Sequence, residues 1–176
     1  LAGDPETREK QRADWDHIVD ACATLGDPRL RALARMFLER YEELFRRAAA
    51  ARRNHHARRG GLVEHVAQMM RCAAAVCSVY PGLNKDLLLA GVLFHDCGKL
   101  WENNYPETGF AQDVSLDGEM MGHIPLGIQV VNNLWRELLD TGKAGAWREL
   151  EPSNERVRLH LLHLILSHHG ELAFGS

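Results

Sequence analysis

The residues best suited to chemistry lie together in the segment His-Asp-Cys-Gly-Lys, at positions 95–99. An imidazole nitrogen and a carboxylate oxygen both bind divalent transition metals, and a carboxylate can bridge two such ions. His95 and Asp96 are adjacent, and adjacent side chains on a helix point about 100° apart. They can therefore grip one ion only at a helix end or with ligands from other helices. The segment predicts a metal site to which several parts of the chain contribute.

Other histidines are spaced along the chain so that they could supply the remaining ligands. Each has a small residue or a predicted helix end nearby, which leaves room for an ion and its waters: His65, His123, His168 and His169. A single histidine is more simply explained as a hydrogen-bonded core or surface residue, but the combined pattern favours a metal centre. Lys99, three residues after Asp96, is placed to contact a phosphate bound by the metal.

Helices must position these side chains, because apolar residues recur at helical spacing along nearly the whole chain and no segment alternates as a strand does. Asp27 followed by Pro28, and Asn84, provide helix start signals. Pro125 must lie in the first turns of its helix or kink it. We predict an all-α bundle whose helices cover about residues 5–25, 28–45, 61–80, 85–97, 119–140 and 154–169.

The size of the chain indicates one domain. Its 176 residues, 45% of them hydrophobic, can bury one core, whereas two domains would be cramped. We expect residues 1–50 to form a helical extension that packs on a bundle formed by residues 51–176. The polar segment 102–118 is too long and too broken for a simple turn, so it is a candidate functional loop.

Composition argues against export and against a membrane. The longest apolar run, residues 87–94, is far shorter than a bilayer span, and no charged-then-apolar leader opens the chain. The four cysteines form no Cys-x-x-Cys pair, which favours reduced thiols and a cytoplasmic protein. A formal charge of −3 argues against a general polyanion binder. Because the chain lacks an initiator methionine, we expect it to be a fragment of a longer protein.

The charge is nevertheless uneven, because residues 46–59 carry six arginines and no acidic residue. Arginine makes bidentate contacts with phosphate groups. This segment is either a solvated helix face or a basic rim that guides a nucleic-acid backbone towards His65, and both interpretations remain open. In the second interpretation, Arg52, Arg53 and Arg58 would bind the substrate.

The order of these motifs resembles that of the HD superfamily of metal-dependent phosphohydrolases. More narrowly, four segments resemble the HD domain of YhaM-type 3′→5′ exoribonucleases over about residues 27–176: "NHHARRGGLVEH", "YPGLNKDLLLAGVLFHDCGKL", "GEMMGHIPLG" and "LHLILSHHGELAFGS". The HDxGK pattern alone would indicate only the superfamily, whereas the ordered set is far more specific. The resemblance implies an all-α HD fold and a metal-activated water that attacks a phosphodiester.

The resemblance also implies roles for individual residues. Two divalent ions would share Asp96, with His65 and His95 on the first ion. The second ion would be held by His123 and by His168, His169 or both. Lys99 would neutralise phosphate charge and act with Asp96 in catalysis, and His55 and His56 would lie on the substrate side. Manganese, iron, cobalt, nickel and zinc all suit such ligands.

Two features depart from the resembled family. HD enzymes usually take a final aspartate ligand from a later helix, but only Glu171 follows His169 here, so we expect the HD domain to be cut short at its C-terminal end. The OB-type nucleic-acid-binding domain that such exoribonucleases commonly carry has no counterpart in residues 1–50.

The sequence therefore predicts an enzyme that hydrolyses phosphodiester bonds, of the 3′→5′ exoribonuclease type, acting on single-stranded RNA or DNA. Two alternatives remain open. The first is an HD hydrolase of small nucleotides, such as a nucleotidase, a cyclic-nucleotide phosphodiesterase or a triphosphohydrolase. The second is a non-catalytic module that binds nucleic acid or nucleotides. An oligomer is compatible with the sequence.

Overall fold

The computed structural model describes residues 4–49, 59–104 and 113–170, and these ranges are almost entirely helical. The prediction of an all-α fold is confirmed. The helices are α1 (Pro5–Ala23), α2 (Pro28–Arg47), α3 (Gly61–Val79), α4 (Lys85–Phe94), α5 (Lys99–Glu102), α6 (Leu116–Met121), α7 (His123–Asp140) and α8 (Asn154–Ser167). A 3-10 helix covers Lys143–Trp147, and a two-residue ribbon pairs β1 (Asn103–Asn104) with β2 (Asp113–Val114).

Capping side chains start the helices where the sequence predicts. The Asp27 carboxylate accepts hydrogen bonds from the backbone N–H groups of Arg29 and Leu30, at 2.9 and 3.4 Å. The Asn84 side chain accepts one from Leu87 N–H at 3.0 Å. Such caps satisfy donors that a helix leaves unpaired in its first turn. They fix the starts of α2 and α4, two of the helices that surround the core.

The core is a single cluster to which α1, α2, α3, α4, α7 and α8 all contribute buried side chains. Phe37 of α2 is fully buried in this cluster, with ring centroids 5.9 Å from Phe45 and 5.2 Å from Phe94. Edge-on aromatic contacts of this kind add to the stabilisation from buried area. Because Phe94 is the last residue of α4, this packing fixes the end of the helix that immediately precedes His95 and Asp96. The division into a helical extension, residues 1–50, and a bundle, residues 51–176, stays a prediction.

Two predicted helices end or break earlier than expected. The helix predicted over 85–97 ends at Phe94, and the chain then turns through Asp96, whose carbonyl accepts from Lys99 N–H at 3.0 Å. The turn packs closely against α7, since a Cβ atom on Gly98 would lie 1.8 Å from the carbonyl oxygen of His123. Only glycine lets the start of α7 approach so closely.

The helix predicted over 119–140 is divided into α6 and α7 by Gly122, which has φ +76°. A left-handed residue cannot continue an α-helix, and glycine adopts this conformation without the steric cost of a side chain. Pro125 therefore lies in the first turn of α7, where its missing N–H costs no helical bond. Among the described helices, none combines the length and the apolar character that a bilayer crossing requires.

Candidate metal centre

Histidines from separate helices surround one buried carboxylate, that of Asp96. Asp96 lies in the turn after α4 and is 4% exposed. The close approach at Gly98 brings the first residue of α7, His123, against this turn. The C-terminal end of α8 supplies His168, and α3 supplies His65. The structure thus brings together residues separated by more than a hundred positions in the sequence.

One group of ligands faces the Oδ2 atom of Asp96. The Nε2 atoms of His95 and His65 lie 3.3 and 3.6 Å from this oxygen. The two Nε2 atoms are themselves 3.2 Å apart. Lys99 Nζ lies 3.0 Å from the same oxygen. Two imidazoles and a carboxylate oxygen at this spacing could hold one metal ion.

A second group faces the other oxygen, Oδ1. The Nε2 atoms of His123 and His168 lie 3.4 and 3.5 Å from it. The ring of His169 packs against both, with centroids 5.0 Å from His123 and 4.3 Å from His168. The candidate ligand atoms of this group, including one from His169, lie within 4.8 Å of one another. Each oxygen of Asp96 thus serves a different group, as a bridging carboxylate would.

The second ring nitrogen of two of these histidines has its own partner. The Nδ1 atoms of His95 and His168 each lie 2.7 Å from a backbone carbonyl three residues earlier, that of Val92 and of Ile165. A carbonyl only accepts, so each Nδ1 carries a proton, and in the neutral ring this leaves Nε2 with a free lone pair. These carbonyls are available because the last turn of a helix leaves its C=O groups unpaired. Metal-binding histidines are normally oriented in this way.

A side chain that the sequence did not single out lies beside His123. Nδ1 of His123 lies 3.7 Å from Oε1 of Glu102, the last residue of α5. In the sequence, Glu102 stands at the start of the predicted polar loop. A signal was nevertheless present, because Glu102 follows Lys99 by three residues and so lies on the same face of a helical turn. The contact to His123 depends on how α5 and α7 pack, which the sequence does not reveal.

The unpartnered atoms in this cluster fit a metal ion. The Nε2 atoms of His123 and His168 are buried and have no hydrogen-bond partner within the part of the chain that the structure describes. A buried polar atom without a partner costs about 1–3 kcal/mol. Both atoms point at the Asp96 carboxylate and carry lone pairs, so a divalent cation between them would remove this cost. The residues present therefore suit a divalent metal.

The electrostatics keep the central carboxyl ionised. Burial acts to raise the pKa of Asp96, but the neighbouring imidazoles of His168 and His95 and the charge of Lys99 outweigh burial and hold this pKa well below its usual range. Burial and the neighbouring His168 and His123 lower the pKa of His169. A carboxylate and a neutral imidazole are the forms that bind metals.

Several predicted residues lie outside the described part of the chain: Arg52, Arg53, His55, His56 and Arg58, together with Glu171.

Cys97, within the central motif, is buried, and burial raises the pKa of its thiol. Its sulfur lies 3.8 Å from the carbonyl oxygen of Gly127 on α7. Cys97 therefore packs the turn against α7, and its environment disfavours the reactive thiolate.

Comparison with known proteins agrees with this geometry. The model of the HD domain family matches residues 62–173, and that of a proposed helicase family matches residues 4–81. The 3′-5′ exoribonuclease YhaM of Geobacillus sp. (strain WCH70) is 34% identical over 172 residues, which are 97% of this chain and 48% of that protein. Its namesake in Bacillus subtilis (strain 168) is 34% identical over 161 residues, 92% of this chain and 46% of the relative.

The YhaM exoribonuclease of Shouchella clausii (strain KSM-K16) is 36% identical over 162 residues, with the same coverage of 92% and 46%. The chain thus spans about half the length of the curated relatives that it matches. No solved structure gives a significant match to the chain.

Proposed function

The chain belongs to the HD domain family, and from this membership we propose that it is a metal-dependent phosphohydrolase that removes nucleotides from the 3′ end of single-stranded RNA. The observation that carries the proposal is the division of histidines into two groups about the two oxygens of Asp96. Hydrolysis of a phosphodiester needs an activated water, a stabilised leaving oxygen and charge compensation on the phosphate. A centre with two cations side by side can meet all three needs.

The ligand assignment follows from the two groups. His65 and His95 would hold one ion with Oδ2 of Asp96, and His123, His168 and His169 would hold the other with Oδ1. When bound, the pair of ions supplies a clamp for the attacking and leaving oxygens and lowers the pKa of a nearby water. The ligands suit manganese, iron, cobalt, nickel or zinc, and availability in the cell decides among them.

Lys99 would act on the substrate. Its side chain is 18% exposed and its ammonium lies beside the Asp96 carboxylate, at the edge where a phosphate held at the centre would approach. Because this side chain is largely shielded from bulk solvent, its positive charge would stabilise the negative charge that develops on the phosphate more strongly than a fully exposed charge would. Glu102 would act as a positioning residue, because it faces Nδ1 of His123 and favours the tautomer whose Nε2 binds metal.

RNA is proposed as the substrate because the matched relatives are named as exoribonucleases. The arginine-rich segment 46–59 would guide the strand, with Arg52, Arg53 and Arg58 on its phosphates and His55 and His56 near the reacting end.

All four cysteines are free thiols, which supports a reducing compartment, the cytoplasm.

Elemental analysis of the purified chain tests the proposal, with Asp96→Ala beside the wild type. We expect about two equivalents of transition metal in the wild type and a loss of most of both in the variant, because one carboxylate serves both groups. The loaded chain should shorten a 5′-labelled single-stranded RNA from its 3′ end, and mononucleotides should compete weakly. Absence of metal from both proteins would refute the assignment, and preferred hydrolysis of mononucleotides would favour the small-nucleotide alternative.

A further inference from the structure

The two groups of ligands around Asp96 differ in how ready they are to bind a cation. In the Oδ1 group, the Nε2 atoms of His123 and His168 are buried and lack a hydrogen-bond partner within the described ranges of the chain. They lie 3.4 and 3.5 Å from Oδ1 of Asp96. Nδ1 of His168 faces the carbonyl of Ile165, so the neutral ring keeps its Nε2 lone pair. Electron-rich atoms thus converge here, and no hydrogen bond between them has to break before a cation binds.

The Oδ2 group is already joined by a hydrogen bond of its own. The Nε2 atoms of His65 and His95 lie 3.2 Å apart. Nδ1 of His95 donates to the carbonyl of Val92 at 2.7 Å, so in the neutral ring Nε2 of His95 is an acceptor. The hydrogen between the two Nε2 atoms must therefore be carried by His65. A cation can bind this group only if that hydrogen leaves Nε2 of His65 and the bond between the rings breaks, a loss that the Oδ1 group does not incur.

A positive side chain adds to the difference between the groups. Lys99 Nζ lies 3.0 Å from Oδ2 of Asp96. The ammonium partly neutralises the oxygen on which a cation in the Oδ2 group depends, and at this range it also repels that cation. Lys99 follows Asp96 by three residues, and the backbone bond from Lys99 N–H to the Asp96 carbonyl, at 3.0 Å, closes the turn between them. The charge is therefore fixed beside the oxygen that it weakens as a ligand.

We propose that the two groups bind cations in a fixed order, the Oδ1 group first, and that a phosphate of the substrate recruits the cation of the Oδ2 group through Lys99. The inference rests on the proposed function, in which Lys99 contacts the phosphate. A phosphate beside Lys99 neutralises the ammonium and draws it away from Oδ2, which removes the repulsion. By linkage, the phosphate and the second cation each strengthen the binding of the other. Where metal is scarce, the chain holds one ion at rest and completes its pair only with substrate in place.

Calorimetric titration of the metal-free chain with Mn²⁺ tests the order. The wild type should show two events whose affinities differ by at least about tenfold, since only the Oδ2 group loses a hydrogen bond. His123→Ala removes a ligand of the Oδ1 group and should weaken the tighter event, as should His169→Ala, whose ring is exposed and whose loss spares the core. His65→Ala should weaken or abolish the weaker event. All three variants should keep the helical circular dichroism of the wild type.

Lys99→Met separates the effect of the charge from that of the hydrogen bond. It should tighten the weaker event by about 3–10-fold and change the tighter event by less than about twofold. Adenosine 5′-monophosphate in excess supplies a phosphate, and Mn²⁺ held by free nucleotide is corrected for. The nucleotide should tighten the weaker event in the wild type and have no effect on it in Lys99→Met. Lys85→Met, the same change at an exposed position of α4, is the matched control and should behave as the wild type does.

Several outcomes would overturn the inference while the proposed function stands, provided that the loaded wild type shortens RNA from its 3′ end. These are two events of equal affinity, a tighter event that is lost in His65→Ala, and a weaker event that Lys99→Met leaves unchanged. A nucleotide that tightens both events alike, or neither, would also overturn it. If the events follow the proposed order but the loaded chain does not cleave RNA, the proposed function fails and the order of binding stands. A wild type that binds no Mn²⁺ would overturn both.

Discussion

Replacement of Glu102 by Gln should weaken one of the two metal sites and spare the other. Glu102 faces Nδ1 of His123, 3.7 Å away, and His123 belongs only to the Oδ1 group. The amide keeps the shape of the side chain but can present its N–H₂ group to Nδ1, which allows the wrong tautomer. Loss of an orienting partner of this kind typically lowers metal affinity about 10–100-fold, or about 1.4–2.7 kcal/mol.

The measurement is a calorimetric titration of the metal-free chain with a single divalent metal. The wild type should show two binding events, and in Glu102→Gln only one of them should weaken. His65→Ala, which removes a ligand from the Oδ2 group, should weaken the other event. This pair of variants assigns each event to one oxygen of Asp96.

Glu119→Gln is the matched control, because it makes the same chemical change at an exposed position of α6. Both glutamine variants should keep the helical circular dichroism of the wild type. Equal weakening of both events in Glu102→Gln, or no change in either, would refute the claim that Glu102 acts through His123.

Two further predictions concern the scaffold. Gly98→Ala should lower the free energy of unfolding by about 3 kcal/mol or more and reduce bound metal. The reason is that the new Cβ would lie 1.8 Å from the backbone carbonyl of His123, a clash that no side-chain rotation can relieve. Urea unfolding and elemental analysis measure the two effects, and an unfolding midpoint equal to that of the wild type would contradict the clash. At Asp27, burial acts to raise the carboxyl pKa, but hydrogen bonds and charge from Arg29 outweigh burial and lower the pKa below its ordinary value of 3.8. The folded state therefore favours the ionised carboxyl, so the contribution of this carboxyl to stability is present above about pH 4 and is lost as the pH falls through and below that value. As the pH is lowered from about 5 to 2, the urea unfolding midpoint should fall less steeply in Asp27→Asn than in the wild type. Midpoints that fall in parallel in the two proteins would refute this role of Asp27.

The helices and most of the candidate ligands could be predicted from the sequence because each has a local cause. Apolar spacing and caps such as Asp27 determine where helices begin, and metal chemistry restricts ligands to a few residue types. The end of α4 at Phe94 and the break at Gly122 were predicted wrongly. The end of α4 depends on the contact between Gly98 and α7, which lies far along the chain. The break at Gly122 is hidden because the helical spacing of apolar residues continues on both sides of this glycine.

Glu102 escaped prediction for a related reason. Its partner, His123, lies 21 positions later in the chain, and nothing in the spacing of the two residues indicates that they meet. Contacts between elements are set by packing of the whole core, and a single sequence carries little information about them. Likewise, the sequence indicates that Asp96 is shared between two groups of histidines only through the family resemblance. That each oxygen faces a separate group depends on how four helices are arranged.

The bonds from His95 and His168 to carbonyls three residues earlier have a consequence for how such a centre could be transplanted. Each ring takes its orientation from its own helical turn, through Val92 or Ile165, and needs no support from a distant loop. The rotational entropy of these two side chains is therefore lost when the helix forms and does not reduce the affinity for the ion. A designer could carry each of these two histidines to a new bundle as a four-residue helix end, and would then need to position the shared carboxylate and the remaining histidines around them.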